Sequence, residues 1–223
     1  MNVPPISTPN PKIFKSHLPA GSRKPNHSAY LIKYHFELTW NNEKDILASI
    51  ANFLPKKGWV RDLGWGLEVQ ALSDLPCHIA GPDNLRPISS WNRSGIKKIT
   101  EETRLDIPIN TLTSLLHPKG EYGPKFLVTK NFYVLKKYNN SDLYALYVAH
   151  LSDRIRRENK PFHATWKETP AKNIKEVFNI QRNLIDNGFD VGNHDGLIGY
   201  KTRRSIGLWQ EKKGHTVTCY PNY

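Results

Sequence analysis

Apolar residues recur at helical spacing in several stretches of the chain, and short apolar runs lie between them. Ile46, Leu47, Ile50, Phe53 and Leu54 predict a helix that starts at Asn42, a good N-cap, and stops at Pro55 and Gly58. Glu43 and Asp45 fall in its first turn, where the helix dipole favours acids. A second stripe, Tyr144, Tyr147, Val148, Leu151 and Ile155, predicts a helix over 142–157, capped by Asn140 or Ser141 and ending in basic residues. Two more follow near the end: 173–187, stopped by Gly188, and 200–213, burying Ile206 and Trp209. Between these, Trp59–Val69 reads as extended chain turned by glycines, and Phe126–Val128 and Asn131–Leu135 read as strands. The proline-rich stretch 73–124 reads as mostly irregular, with short helical turns around 88–97 and 109–116.

The organisation that follows is an α+β chain in parts. Residues 1–27 hold six prolines and no period, as expected of a disordered tail. The main body spans 28–157, the stretch 158–171 reads as a linker, and 172–223 reads as a small helical module. A chain of 223 residues can bury a core without metals or disulfides. The two cysteines, Cys77 and Cys219, lack any CxxC or Cys/His spacing and read as free thiols. The nine histidines show no HExxH and no ligand clustering, so no metal and no cofactor is expected. No apolar run is long enough to span a membrane, and the first residues lack the apolar core of a secretory signal.

A net charge of +12 points to an acidic polymer as partner. Because the charge is spread and no helix carries a dense basic stripe, nucleic acid is not the expected one. Acid catalysis of glycosidic cleavage would need a glutamate kept neutral by an apolar pocket. None of the glutamates has such neighbours, and Glu68, between Leu67 and Val69, reads as facing solvent from a strand. The segment Tyr138-Asn139-Asn140-Ser141-Asp142-Leu143-Tyr144 puts rings and amides at an element junction. Tyrosine faces pack on sugar CH groups, and an Asn amide pairs with hydroxyls. The same residues also read as a core tyrosine and a helix cap.

The runs Gly123-Pro124-Lys125-Phe126-Leu127-Val128, Asn131–Leu135, Tyr138–Ser141, Tyr144-Ala145-Leu146 and Asp153-Arg154-Ile155 closely resemble the B-type lytic murein transglycosylases. So does Trp40 through Gly58-Trp59. The last residues resemble the peptidoglycan-binding module often appended to such enzymes, through Gln181, Leu184, Gly188-Phe189, Asp195-Gly196, Gly199, Thr202-Arg203 and Trp209-Gln210; Tyr200 stands where that module usually has Pro. The resemblance implies a truncated lysozyme-like transglycosylase region followed by a three-helix binding domain. It implies murein as partner, cleavage between N-acetylmuramic acid and N-acetylglucosamine with 1,6-anhydro ends, and a cell-envelope or periplasmic setting. It also implies that Tyr138, Asn139 and Tyr144 contact the glycan. The family's acid/base glutamate, in a Glu-Ser motif, has no counterpart in this chain. The expectation is therefore a chain inactive alone, whose missing N-terminal half is encoded upstream and which, lacking an export signal, stays inside the cell. A dedicated non-catalytic murein-binding protein is the alternative. Loss of the part that would cover it should leave the apolar stripe of helix 142–157 exposed.

Overall fold

The computed structural model describes residues 42–71, 75–99, 107–156 and 161–221. The expected tail, 1–27, and the motif residues before Asn42 lie outside them. The chain divides into two units, Met1–Ser49 and Ile50–Tyr223. Of the first, the described part opens helix α1 (Glu43–Lys56). Its start is capped as expected: the Lys44 backbone N–H donates to Asn42 Oδ1 at 3.1 Å. Pro55 lies inside the last turn rather than ahead of it.

The second unit is built on one antiparallel sheet of five strands: β1 (Gly66–Ala71), β2 (Arg86–Pro87), β3 (Ile96–Lys98), β4 (Leu112–Leu116) and β5 (Lys125–Val128), ordered β2-β4-β5-β1-β3. The register sets Leu67 opposite Leu127 and Glu68 opposite Phe126. Successive residues of a strand face opposite sides. Leu67, Val69, Leu115 and Leu127 therefore share one apolar layer with Ile88 and Trp91 of helix α2 (Ile88–Arg93). Leu116, Phe126 and Val128 share the other with Phe132 of helix α3 (Lys130–Tyr138) and Ala145, Leu146 and Ala149 of helix α4 (Asp142–Arg156). Helices on both faces bury the central strands on both sides.

Several expectations change here. The run Asn131–Leu135 is helical, not a strand. Thr129 caps α3 by accepting the Asn131 backbone N–H at 3.2 Å. Asn131 then ties the helix to the loop after α1, accepting from the Val60 N–H and donating to the carbonyls of Val60 and Leu63. The stretch 109–116 holds strand β4 instead of a helical turn, because Leu112–Leu116 finds partners in β2 and β5. Glu68 does not face solvent. It is buried beside Phe126, where its two oxygens accept the His163 and Ala164 backbone N–H groups at 2.8 Å each. Those residues belong to the stretch read as a linker, whose Phe162 ring sits between Phe126 and His150.

The stripe on α4 is exposed: Tyr144, Tyr147, Leu151 and Ile155 keep 39, 66, 41 and 78% of their surface in solvent. The small residues Ala145 and Ala149, with Leu146, form the buried face.

Helices α5 (Ile174–Asp186) and α6 (Tyr200–Lys212) close the described chain, a pair where the resemblance implied three helices. Leu184, Val191 and Ile206 form their core. Gln181, fully buried, donates to the carbonyls of Asn193 and Leu197 and accepts the Gly196 N–H, which holds the irregular loop between the helices. Gln210 does the same for the last residues, accepting from the Thr218 and Cys219 backbones.

The cysteines are not free. Cys77 and Cys219 form a disulfide across 142 positions, buried at 3% and 1% exposure. Sequence spacing could not show this, because the pairing depends on α6 lying against the short 3₁₀ turn Cys77–Ile79. A Cβ on Gly207 of α6 would sit 2.0 Å from Cys77 Sγ, so only glycine lets the two elements approach this closely. Arg204 adds a second attachment, donating to the Ala80 carbonyl and to both carboxylate oxygens of Asp83.

Candidate functional site

The residues singled out in the sequence meet at the junction of α3 and α4. Tyr138 is the last residue of α3, Asn139 its C-cap, and Tyr144 lies in the first turn of α4. The two tyrosine rings stack, with centroids 6.3 Å apart and planes within 20°. Phe53 of α1 meets Tyr138 edge-on at 5.9 Å, which fixes one side of the stack. Burial, then the neighbouring Tyr144, raises the Tyr138 hydroxyl above the ordinary phenol value, so it is a neutral donor and acceptor at physiological pH. Tyr144 keeps 39% of its surface exposed, so it is not a sealed core residue.

Asn139 plays the cap role and leaves half of its amide over. Its Oδ1 accepts the Ser141 backbone N–H at 3.0 Å, and Ser141 Oγ in turn accepts the Tyr144 N–H at 3.3 Å. Among the described residues, nothing accepts from the Asn139 Nδ2 group. An exposed ring face beside an exposed amide donor is chemically fit to take a pyranose CH face and one hydroxyl or N-acetyl oxygen.

Beneath this rim lies a buried polar cluster that the sequence did not disclose. Asp142 opens α4, and both of its oxygens are taken. Lys136 of α3 donates to one at 2.5 Å, and Arg203 of α6 donates to the other at 2.6 Å. Burial alone would raise this carboxyl, but Arg203 and Lys136 outweigh it and hold it below the usual carboxylate value. Ser114 and Tyr133 share a hydrogen bond of 2.7 Å nearby, and burial pushes the Tyr133 hydroxyl up to about 12. His117 is buried among cations. Desolvation first, then Arg203, Lys125 and Arg204, push its pKa down to about 3. Asp142, Lys136, Arg203, Tyr133 and His117 line a cavity of about 10 Å³, the size of one water molecule. It is too small for a sugar. The signal for Asp142 was an acid in the first turn of a strong helix. Arg203 stood out only as a motif residue of the binding module, and its pairing with Asp142 gave no signal, since the two are 61 positions apart.

The described glutamates offer no poised acid. Glu68 is the one among them that is buried, and its two oxygens are occupied by backbone donors. The described residues hold no group of His, Cys, Asp and Glu able to bind a metal ion, and no helix among them is long and apolar enough to cross a membrane.

The model of the transglycosylase SLT domain matches residues 37–153, just over half of the chain. Among solved structures, SltB3 from Pseudomonas aeruginosa in complex with NAG-anhNAM-pentapeptide is 32% identical. It superposes with a TM-score of 0.68 over 80% of this chain and 48% of its own length. The same protein in complex with NAG-NAM-pentapeptide gives 32% identity, a TM-score of 0.66, and coverage of 79% and 47%. The chain thus spans about half the length of the solved structures it matches. No curated protein matches it. The α+β fold, the ordered motifs and the SLT match agree, and the chain belongs to the lytic transglycosylase family, as its resemblance to the B-type members implied.

Proposed function

We propose that this chain binds peptidoglycan glycan strands at the α3–α4 junction and, by itself, does not cleave them. The observation that carries the reading is the stacked Tyr138–Tyr144 pair beside the Asn139 amide, at the position where the family resemblance expects glycan contacts. The relative SltB3 was crystallised with fragments containing NAG and NAM, which is the same chemistry. In this reading the exposed ring of Tyr144 carries a sugar face. Tyr138 backs that ring, and Asn139 Nδ2 donates to a hydroxyl or N-acetyl oxygen.

Cleavage needs a carboxylic acid that protonates the leaving oxygen and then acts as base. No glutamate of this sequence stands in a Glu-Ser motif, and the buried Glu68 is engaged by two backbone donors. In this reading the chain binds without turnover. The helix pair α5–α6 is read as a second murein-binding part of the same chain, on the strength of its motif residues. The cell envelope is the compartment that best suits the chain, because its substrate class lies there and the Cys77–Cys219 disulfide persists in oxidising surroundings.

The test is calorimetric titration of the chain with a GlcNAc–MurNAc tetrasaccharide. Tyr144→Ala and Asn139→Ala should each weaken binding about tenfold, which corresponds to ~1.4 kcal/mol. Variants that bind as tightly as the unsubstituted chain would remove the site from this junction.

A further inference from the structure

The ion pair between α6 and α4 is in excess of what attachment requires. The disulfide already fastens the segment after α6, and the Arg204–Asp83 pair fastens α6 itself. Yet a third link buries a full guanidinium: the Arg203 side chain is 4% exposed and its partner Asp142 is 11% exposed. Burying an ion pair adds little net stability compared with apolar residues of the same size, so it is better explained by the geometry that it imposes. Arg203 is fixed at both ends. Nη1 donates to the Ile198 carbonyl at 2.9 Å on the α6 side, and Nη2 donates to Asp142. Asp142 in turn receives Lys136, two residues before Tyr138.

These bonds form a continuous strut from α6 to both flanks of the glycan-contacting segment. The segment itself, Asn139–Ser141, is exposed, and its described bonds are all local: two side-chain cap bonds and the backbone bonds from Asn139 to Leu135 and from Ala145 to Ser141. The angle between α3 and α4 is set outside the segment, by the shared Phe132–Leu146 layer and by the polar links that meet at Asp142. We propose that Arg203 is a positioning residue for the glycan site, so that the C-terminal helix pair sets the geometry of the Tyr138–Tyr144 stack and of Asn139. This rests on the glycan reading above. It makes α5–α6 part of the site's framework, beyond any binding of their own.

The experiment uses the full chain with Arg203→Gln, Arg203→Lys and Ile206→Val. Two quantities are read: affinity for the GlcNAc–MurNAc tetrasaccharide, and hydrogen exchange of the Ser141 and Tyr144 amides. Arg203→Gln should weaken binding about tenfold and speed exchange at both amides. Arg203→Lys, which keeps the charge and loses the fork, should recover part of each. Ile206→Val trims the core of the same helix, so it should lower the melting temperature and leave both readouts unchanged. Should Arg203→Gln fail to fold, Asp142→Asn breaks the same strut from the other side and carries the same expectation. Unchanged affinity and exchange in the Arg203 variants, or equal losses in Ile206→Val, would overturn the proposal. If the unsubstituted chain binds no tetrasaccharide while exchange still rises in Arg203→Gln, the glycan reading falls and the strut stands.

Discussion

Removing the Cys77–Cys219 bond should cost more stability than any other single covalent change in the molecule. The bond closes a loop spanning 142 positions. On the chain-entropy account, a cross-link of that span restricts the unfolded chain by about 5 kcal/mol at 25 °C. Both sulfurs are buried, and Gly207 packs directly on Cys77, so the bond sits in native packing that it does not need to distort. The perturbation is the double variant Cys77→Ala/Cys219→Ala, which avoids leaving thiols to reoxidise. The assay is urea unfolding followed by tryptophan fluorescence. With a slope of about 2 kcal/mol/M, the midpoint should fall by roughly 2.5 M. Hydrogen exchange in α6 should rise more than in β5, because the segment that follows α6 loses its covalent attachment while β5 keeps its ladder to β1 and β4. A midpoint shift under about 0.5 M would contradict the entropic origin of the stabilisation. It would mean that the Arg203 and Arg204 links already hold α6 in place in the unfolding reaction.

Two further expectations follow from buried ionisable groups. His117 has a folded pKa of about 3 against an ordinary 6.5, so the unfolded chain takes up its proton first. Its contribution is complete above pH 6.5 and is lost as pH falls toward 3, amounting to about 3 kcal/mol between pH 7 and 4; urea midpoints across that range should decline less steeply in His117→Gln, and parallel declines would count against it. Glu68→Gln should cost roughly 1–3 kcal/mol, because the amide can accept at one oxygen only and turns a donor toward the other backbone N–H. Limited proteolysis should then cut within 161–166 faster than in the unsubstituted chain, and an unchanged digestion pattern would contradict the clamp.

The long helices were legible because their pattern and caps agree. Glu176 and Asn173 of α5 form a reciprocal capping box, and Gly188 takes the positive φ that ends the helix. The misread elements share a cause: local propensity was outvoted by partners distant in sequence. Phe132, Tyr133 and Val134 favour a strand in isolation. The helical solution wins because it packs Phe132 on Trp65 and frees the Asn131 side chain to bond the loop at Val60–Leu63. Glu68 was judged by its two neighbours, whereas the His163–Ala164 strap that covers it arrives some 95 positions later. The tyrosines and Asn139 of the candidate site lie within one short segment, and the family resemblance singled them out where the residues alone read equally as core and cap. Asp142's pairing with Arg203 and the Cys77–Cys219 pair could not be read from the sequence, since only the folded chain brings them together.

Incubation of the chain with murein sacculi distinguishes binding from cleavage in one experiment. The soluble fraction is analysed by mass spectrometry for 1,6-anhydro-muramyl products, and the pellet is assayed for protein. The expected outcome is no such products above a control without protein, with the chain sedimenting alongside the sacculi and Tyr144→Ala sedimenting less. Anhydro products above that control would contradict it and would require an acid among the glutamates of this chain.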